Sequence, residues 1–165
     1  MKSIITSAPG KIVIIGEFAV LKNAPSISMA INRRAIVSIK EIQDSSHIIK
    51  THGIVESEWR FNENESEEFI WLGSEPQKNI LELFVLFWRK IKTESNIKYK
   101  FTLDTSMFFD PIKKNKLGLG SSSALIVAMS VAFIKFFDIT ENINDFAHQI
   151  HTEFQSGLGS GVDVQ

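Results

Sequence analysis

The sequence predicts an α+β fold, one mixed or mostly antiparallel sheet covered by helices. Three observations carry that expectation. The first forty-odd residues are dense in Ile and Val and read as strands. Three later segments repeat their apolar residues at helical spacing, and a strand with two-residue alternation lies among them. A chain of 165 residues is the size of one domain and buries on the order of 70% of its unfolded surface. No repeat, linker or low-complexity stretch divides it, so residues 1–165 are read as one domain.

Taken in order, Lys11-Ile12-Val13-Ile14-Ile15 is a β-branched run between Pro9-Gly10 and Gly16, as expected of a strand buried on both faces. A second strand region covers residues 27–42. Residues 47–51 and 55–61 read as an edge hairpin turned at Gly53, and the glutamate-rich segment 56–68 as a solvated outer loop. Residues 77–92 are helical, with Ile80, Phe84, Phe87, Trp88 and Ile91 on one stripe that belongs to a core rather than a ligand platform. Residues 97–103 alternate and form a half-buried strand.

Residues 121–137 are apolar nearly all round, which predicts the most buried helix of the domain. A third helix, 142–154, places Ile143, Phe146, Ala147, Ile150 and Phe154 on one stripe. Glu153 falls on the border of that stripe, where a carboxylate either reaches water or faces a cation. Residues 157–163 are a second glycine-rich loop close to the last residue, Gln165. That ending gives the expectation of a chain cut short, with a partner domain missing.

Composition removes several classes of function. A net charge of −1 supplies no bulk attraction to nucleic acid or acidic membranes. With no cysteine there are no disulfides, zinc–thiolate sites or thiol nucleophiles. The N-terminus lacks the apolar core of a signal peptide, and no stretch approaches the ~20 apolar residues of a membrane span. A soluble, cytoplasmic protein with no membrane or nucleic-acid partner is expected.

The chemistry concentrates in Gly118-Leu119-Gly120-Ser121-Ser122-Ser123-Ala124. Two glycines let the backbone approach a ligand, and serines open a long helix whose first turn carries unpaired N–H groups. Those donors, with roughly half a positive charge from the helix dipole, favour an anion. The plainer alternative is an ordinary glycine–serine helix start. No lysine follows the second glycine, so this is not a Walker loop, and Ser123 stands at the third glycine of a dinucleotide fingerprint. Phosphoryl transfer needs cations and a group near the acceptor hydroxyl, for which Lys11 and Asp163 are candidates. Locally, each is equally read as a strand-entry lysine and a turn aspartate. His148 and His151 sit three apart on a helix without a third ligand, and are read as exposed helix-face residues.

Three segments together resemble the N-terminal signatures of the GHMP kinases. They are Ala8-Pro9-Gly10-Lys11-Ile12-Val13-Ile14-Ile15-Gly16-Glu17, the Gly118–Ala124 loop, and Gly159-Ser160-Gly161-Val162-Asp163-Val164, in matching order and separation. The resemblance implies an ATP-binding N-terminal domain with a left-handed β-α-β unit, lacking a C-terminal domain. It implies transfer of the ATP γ-phosphate to a small acceptor with Mg²⁺. Gly118, Leu119, Gly120, Ser121, Ser122 and Ser123 would hold the nucleotide, and Ser122 and Glu153 the metal. Asp163 would act as base and Lys11 would orient it, with Glu17, Ser160 and Gly161 toward the acceptor.

Within the family the likeness is greatest to phosphomevalonate kinases. Phe18 stands where mevalonate kinases usually carry histidine, and Lys116-Leu117-Gly118 is similar to the phosphomevalonate kinase entry into the loop. Mevalonate kinases and kinases of heptose phosphates are the alternatives. An alternative of another class is a truncated non-catalytic module binding nucleotide or RNA, since small-subunit ribosomal proteins share this domain shape. Arg33-Arg34 and Lys113, Lys114 and Lys116 form two small basic clusters, but the overall balance is slightly acidic. A second copy of the chain is the other partner considered.

Overall fold

The computed structural model describes residues 1–16, 24–53, 55–64, 68–77, 81–91 and 96–155. Strands β1 (Ser3–Ile15), β2 (Ile27–Ile42), β3 (His47–His52), β4 (Ser57–Glu63) and β5 (Phe69–Leu72) come first. A short helix α1 (Glu82–Trp88) leads to β6 (Lys98–Asp104) and a 3-10 turn (Ser106–Phe108). Helices α2 (Ser121–Phe136) and α3 (Ile143–Phe154) follow. The six strands form one sheet in the order β1-β2-β6-β3-β4-β5. β3 and β6 run parallel while the other described pairs are antiparallel, so the sheet is mixed, as expected.

Helices cover one face. β6 turns Tyr99, Phe101 and Leu103 to that face, fully buried, and leaves Lys98, Lys100, Thr102 and Asp104 half-buried on the other. The open face is tied by ion pairs, Lys100–Glu58 at 3.1 Å and Arg60–Asp44 at 2.9 Å. Beneath the helices the core is aromatic. Phe133 of α2 stacks on Phe101 at 5.8 Å between ring centroids and meets Phe87 of α1 at 5.1 Å. Each such ring, fully buried, contributes ~1.5–3 kcal/mol by removal of apolar surface from water. α2 carries eleven buried residues among its sixteen, which accords with its apolar sequence. α3 begins at Asn142, whose side chain accepts from the amides of Asn144 and Asp145 and so caps the helix.

Four expectations are corrected. Residues 11–15 are not buried on both faces: β1 is an edge strand, and Ile12, Ile14 and Ile15 are exposed. The hairpin of β3 and β4 is real, but it is interior, because β5 lies outside it and β6 inside. The glutamate-rich segment is largely strand: β4 alternates, burying Trp59 and Phe61 while Glu58 and Arg60 face outward. Glu63 also accepts a hydrogen bond from the Trp88 indole nitrogen, tying α1 to that strand. Finally, His151 is buried, whereas His148 is exposed as expected.

Candidate active site

The architecture brings the start of α2 against β1, the edge strand. Pro9 has no amide hydrogen, and the pairing slips there: Pro9 lies opposite Arg34 but Gly10 opposite Ile31. Arg34 pins the irregularity, donating from Nε to Ser7 Oγ and from Nη2 to the Ser7 carbonyl, each at 3.0 Å. Past the slip, Lys11 turns its amide away from β2 and donates it to the carbonyl of Leu119 at 3.1 Å. That bond joins the first signature to the second.

The glycine loop takes the conformation its composition allows. Gly118 has φ 70° and Gly120 φ 74°, both in the left-handed region. Gly120 is the N-cap of α2 and makes no side-chain cap bond, while its carbonyl accepts from Ala124 N at 3.0 Å to close the first turn. The amides of Ser121, Ser122 and Ser123 precede any residue able to accept from them within the helix. Ser121 and Ser123 are buried and Ser122 half-buried, so these serines belong to the wall of the site more than to solvent.

Two hollows flank the helix start. One, of about 180 Å³, is lined by Gly10, Lys11, Ser28, Ala30, Gly120 and Ser123. The other, of about 60 Å³, lies among His52, Val55, Thr105, Ser121, Ser122 and Leu125. Lys11 lines the larger of these two hollows and Ser122 the smaller. A β-carbon on Gly120 would sit 3.2 Å from Lys11 Cγ, so the lysine stem lies directly beside the helix cap. Any larger residue at Gly120 would narrow the hollow beside the lysine stem.

Of the sequence-predicted residues, the fold brings together Lys11 and the loop Gly118–Ser123. Leu119 is present for its carbonyl and for packing, since its side chain joins a small core with Ala35, Phe108 and Ala124. Glu153 faces a cation, as one of its two readings anticipated: its carboxylate pairs with Lys90 beyond α1 at 2.8 Å. Glu17, Ser160, Gly161 and Asp163 lie outside the described residues. Among the described residues no group of three or more acidic or histidine side chains converges on a metal position. Ser28, Ala30, His52 and Thr105 line the hollows without having been singled out. They come from β2, from β3 and from the turn after β6, and no local pattern marks them.

The approach to the loop is a tight excursion from the 3-10 turn. Asp110 Oδ1 accepts from the amides of Ile112 at 2.9 Å and Lys113 at 2.6 Å, which hold its carboxyl below the ordinary range. Glu56 similarly accepts from Gly53 N at 3.0 Å and pairs with His52 Nδ1 at 2.5 Å, and both lower its pKa. Glu56 and Asp110 line a third hollow, of about 520 Å³, with Arg33, Gly53, Met107 and Lys114.

Comparison with known proteins places this geometry. Residues 80–165, just over half of the chain, match the model of the GHMP kinases N terminal domain. The phosphomevalonate kinase of Saccharolobus solfataricus is 29% identical over 162 residues, 96% of this chain and 45% of that protein. The mevalonate kinase of Pyrococcus furiosus is 29% identical over 170 residues, 97% of this chain and 48% of that one. In structure, the Methanococcus jannaschii mevalonate kinase superposes with a TM-score of 0.66 at 19% identity, covering 99% of this chain and 50% of that chain. The chain thus spans about half the length of the curated relatives it matches.

Proposed function

This chain belongs to the GHMP kinase family, and from that premise we propose that it is the nucleotide-binding part of an ATP-dependent small-molecule kinase. The observation that supports it best is the bond from Lys11 N to the Leu119 carbonyl, which sets the strand that carries the lysine beside the N-terminus of α2. In this reading Gly118, Leu119, Gly120, Ser121, Ser122 and Ser123 hold the phosphates through backbone amides and hydroxyls.

The acceptor oxygen attacks the γ-phosphorus and the bond to the β–γ bridging oxygen breaks, releasing ADP. The proton of the acceptor hydroxyl passes to Asp163, the proposed base, and Lys11 orients both groups. Glu17, Ser160 and Gly161 are assigned to the acceptor. The described residues fit the triphosphate: the cradle at Gly120 is backbone-lined and cationic on one side. For Mg²⁺, which supplies charge neutralisation on the phosphates when bound, Ser122 offers a hydroxyl, and Glu153 joins it only by giving up Lys90.

The proposed acceptor is phosphomevalonate, a preference that rests on Phe18 and on Lys116-Leu117-Gly118; mevalonate is the competitor, since curated relatives of both kinds are 29% identical to this chain. Kinases of heptose phosphates are weighed below both. A nucleic-acid module is disfavoured, since Arg33 and Arg34 are engaged in bonds to Met107 and Ser7. No described helix is long and apolar enough to cross a membrane, and a cytoplasmic reaction is part of the proposal.

Calorimetry with Mg·ATP is the test. Saturable binding by this chain, weakened in Ser122→Ala, supports the reading, and no binding at millimolar nucleotide overturns it. Turnover with phosphomevalonate, mevalonate and a heptose phosphate in parallel then ranks the acceptors.

A further inference from the structure

The glycine loop and β1 do not hold each other by the Lys11–Leu119 bond alone. Between them lies Phe108, fully buried in a small core apart from the main one, with Ala35 of β2 and Ala124 of α2. Its ring edge faces Gly10 so closely that a β-carbon there would lie 2.5 Å from Phe108 Cε1, and equally 2.5 Å from the Leu119 carbonyl oxygen. Gly10 is therefore a contact surface for both the ring and the loop.

Phe108 also holds the loop through its backbone. Leu117 N donates to the Phe108 carbonyl at 2.9 Å, and Phe109 bridges Lys116, so residues 108–109 and 116–117 form a clasp at the base of the loop. The 3-10 turn carrying Phe108 is fixed in turn: Phe108 N donates to Thr105 O at 2.9 Å, and Arg33 Nη1 to Met107 O at 3.0 Å. One side chain thus touches the strand that carries Lys11, the loop that carries the anion-facing amides, and the first turn of α2.

We infer that Phe108 is the positioning residue that sets the spacing between Lys11 and the glycine loop, acting through Gly10 and Leu119 and touching no ligand itself. The inference rests on the phosphoryl-transfer reading for its functional consequence but not for its geometry. Removing the ring edge lets β1 and the loop approach or part by a fraction of an ångström, and a pre-organised site is sensitive to displacements of that order.

The test compares Phe108→Leu with Phe133→Leu, a loss of the same ring in the main core. Phe108→Leu is expected to weaken Mg·ATP binding about tenfold, while Phe133→Leu lowers the melting temperature and leaves affinity unchanged. Equal loss of affinity in both, or in neither, overturns the inference. If the unmodified chain fails to bind Mg·ATP, the phosphoryl-transfer reading fails instead, and amide hydrogen exchange at Lys11 decides the geometry. Faster exchange at Lys11 in Phe108→Leu but not in Phe133→Leu upholds the positioning role, and equal rates overturn it.

Discussion

Gly120 stands against Lys11 with its α-carbon so near the lysine stem that an added methyl would meet Cγ at 3.2 Å. Two demands converge on this glycine, a left-handed φ of 74° and room for a cation beside the helix cap. Gly120→Ala is expected to cost about 1–2 kcal/mol in stability from the backbone alone. Lys11 is flexible and gives way, so the chain still folds, but Mg·ATP affinity falls by about tenfold. Thermal melts and calorimetry on the same preparation measure both.

The Lys90–Glu153 pair separates a surface ion pair from a metal ligand in waiting. Exposed pairs contribute ~0–1 kcal/mol, so either substitution changes stability little. If Glu153 serves Mg²⁺, Glu153→Gln raises the Mg²⁺ concentration needed for ATP binding several-fold. Lys90→Met, which releases the carboxylate, lowers it. Identical Mg²⁺ titrations for both variants and the parent would remove Glu153 from the metal shell.

His47 predicts an acid-sensitive fold. It lies buried between Phe61 and Tyr99, with ring centroids at 5.0 and 5.6 Å, and Nδ1 accepts the Tyr99 amide at 3.3 Å. Burial, and secondarily Lys98, press its pKa down from 6.5 to about 4. The folded state keeps the ring neutral while the unfolded chain takes up a proton near pH 6.5. Stability is therefore undiminished above that pH, falls as pH drops toward 4, and levels off below. The loss amounts to roughly 3 kcal/mol at most. Urea melts from pH 7 to 4 should show this slope, flattened in His47→Phe. An unchanged slope in the variant would assign it to other groups.

Phe133 is the hinge of the aromatic core, meeting Phe87, Phe101 and Phe137 within 6 Å between centroids. Phe133→Ala should cost about 3–5 kcal/mol. Against a total of about 5–15 kcal/mol that leaves a marginal fold. A denaturant midpoint within experimental error of the parent would mean the cavity collapses without penalty.

Much of the candidate site was legible in the residues because its requirements are local. Gly118 and Gly120 are needed where φ is positive, and an apolar run after three serines specifies a long buried helix. The helical stripe of residues 77–92 was readable in part: Phe84, Phe87 and Trp88 reach the core, but α1 spans only Glu82–Trp88 and Ile80 lies outside the described residues. Misreadings arose where a residue's environment depends on distant chain. A run such as Ile12-Val13-Ile14 looks the same in a central strand and an edge one. The charged stretch around Trp59 hid a strand because its inward residues are outnumbered by glutamates. His151 and its neighbour His148 differ only in which side of α3 the rest of the domain covers.

By itself the sequence determined where the backbone turns, which segments coil, and that a helix begins behind a glycine cap. Backbone conformational preferences and the helix dipole act over one or two turns, so they are written in adjacent residues. Only the tertiary structure decided that Lys11 meets Leu119, that Phe108 fills the space between them, and that Glu153 is held by Lys90. Those pairings follow from strand order and from burying one aromatic core, and both are settled by the whole chain at once.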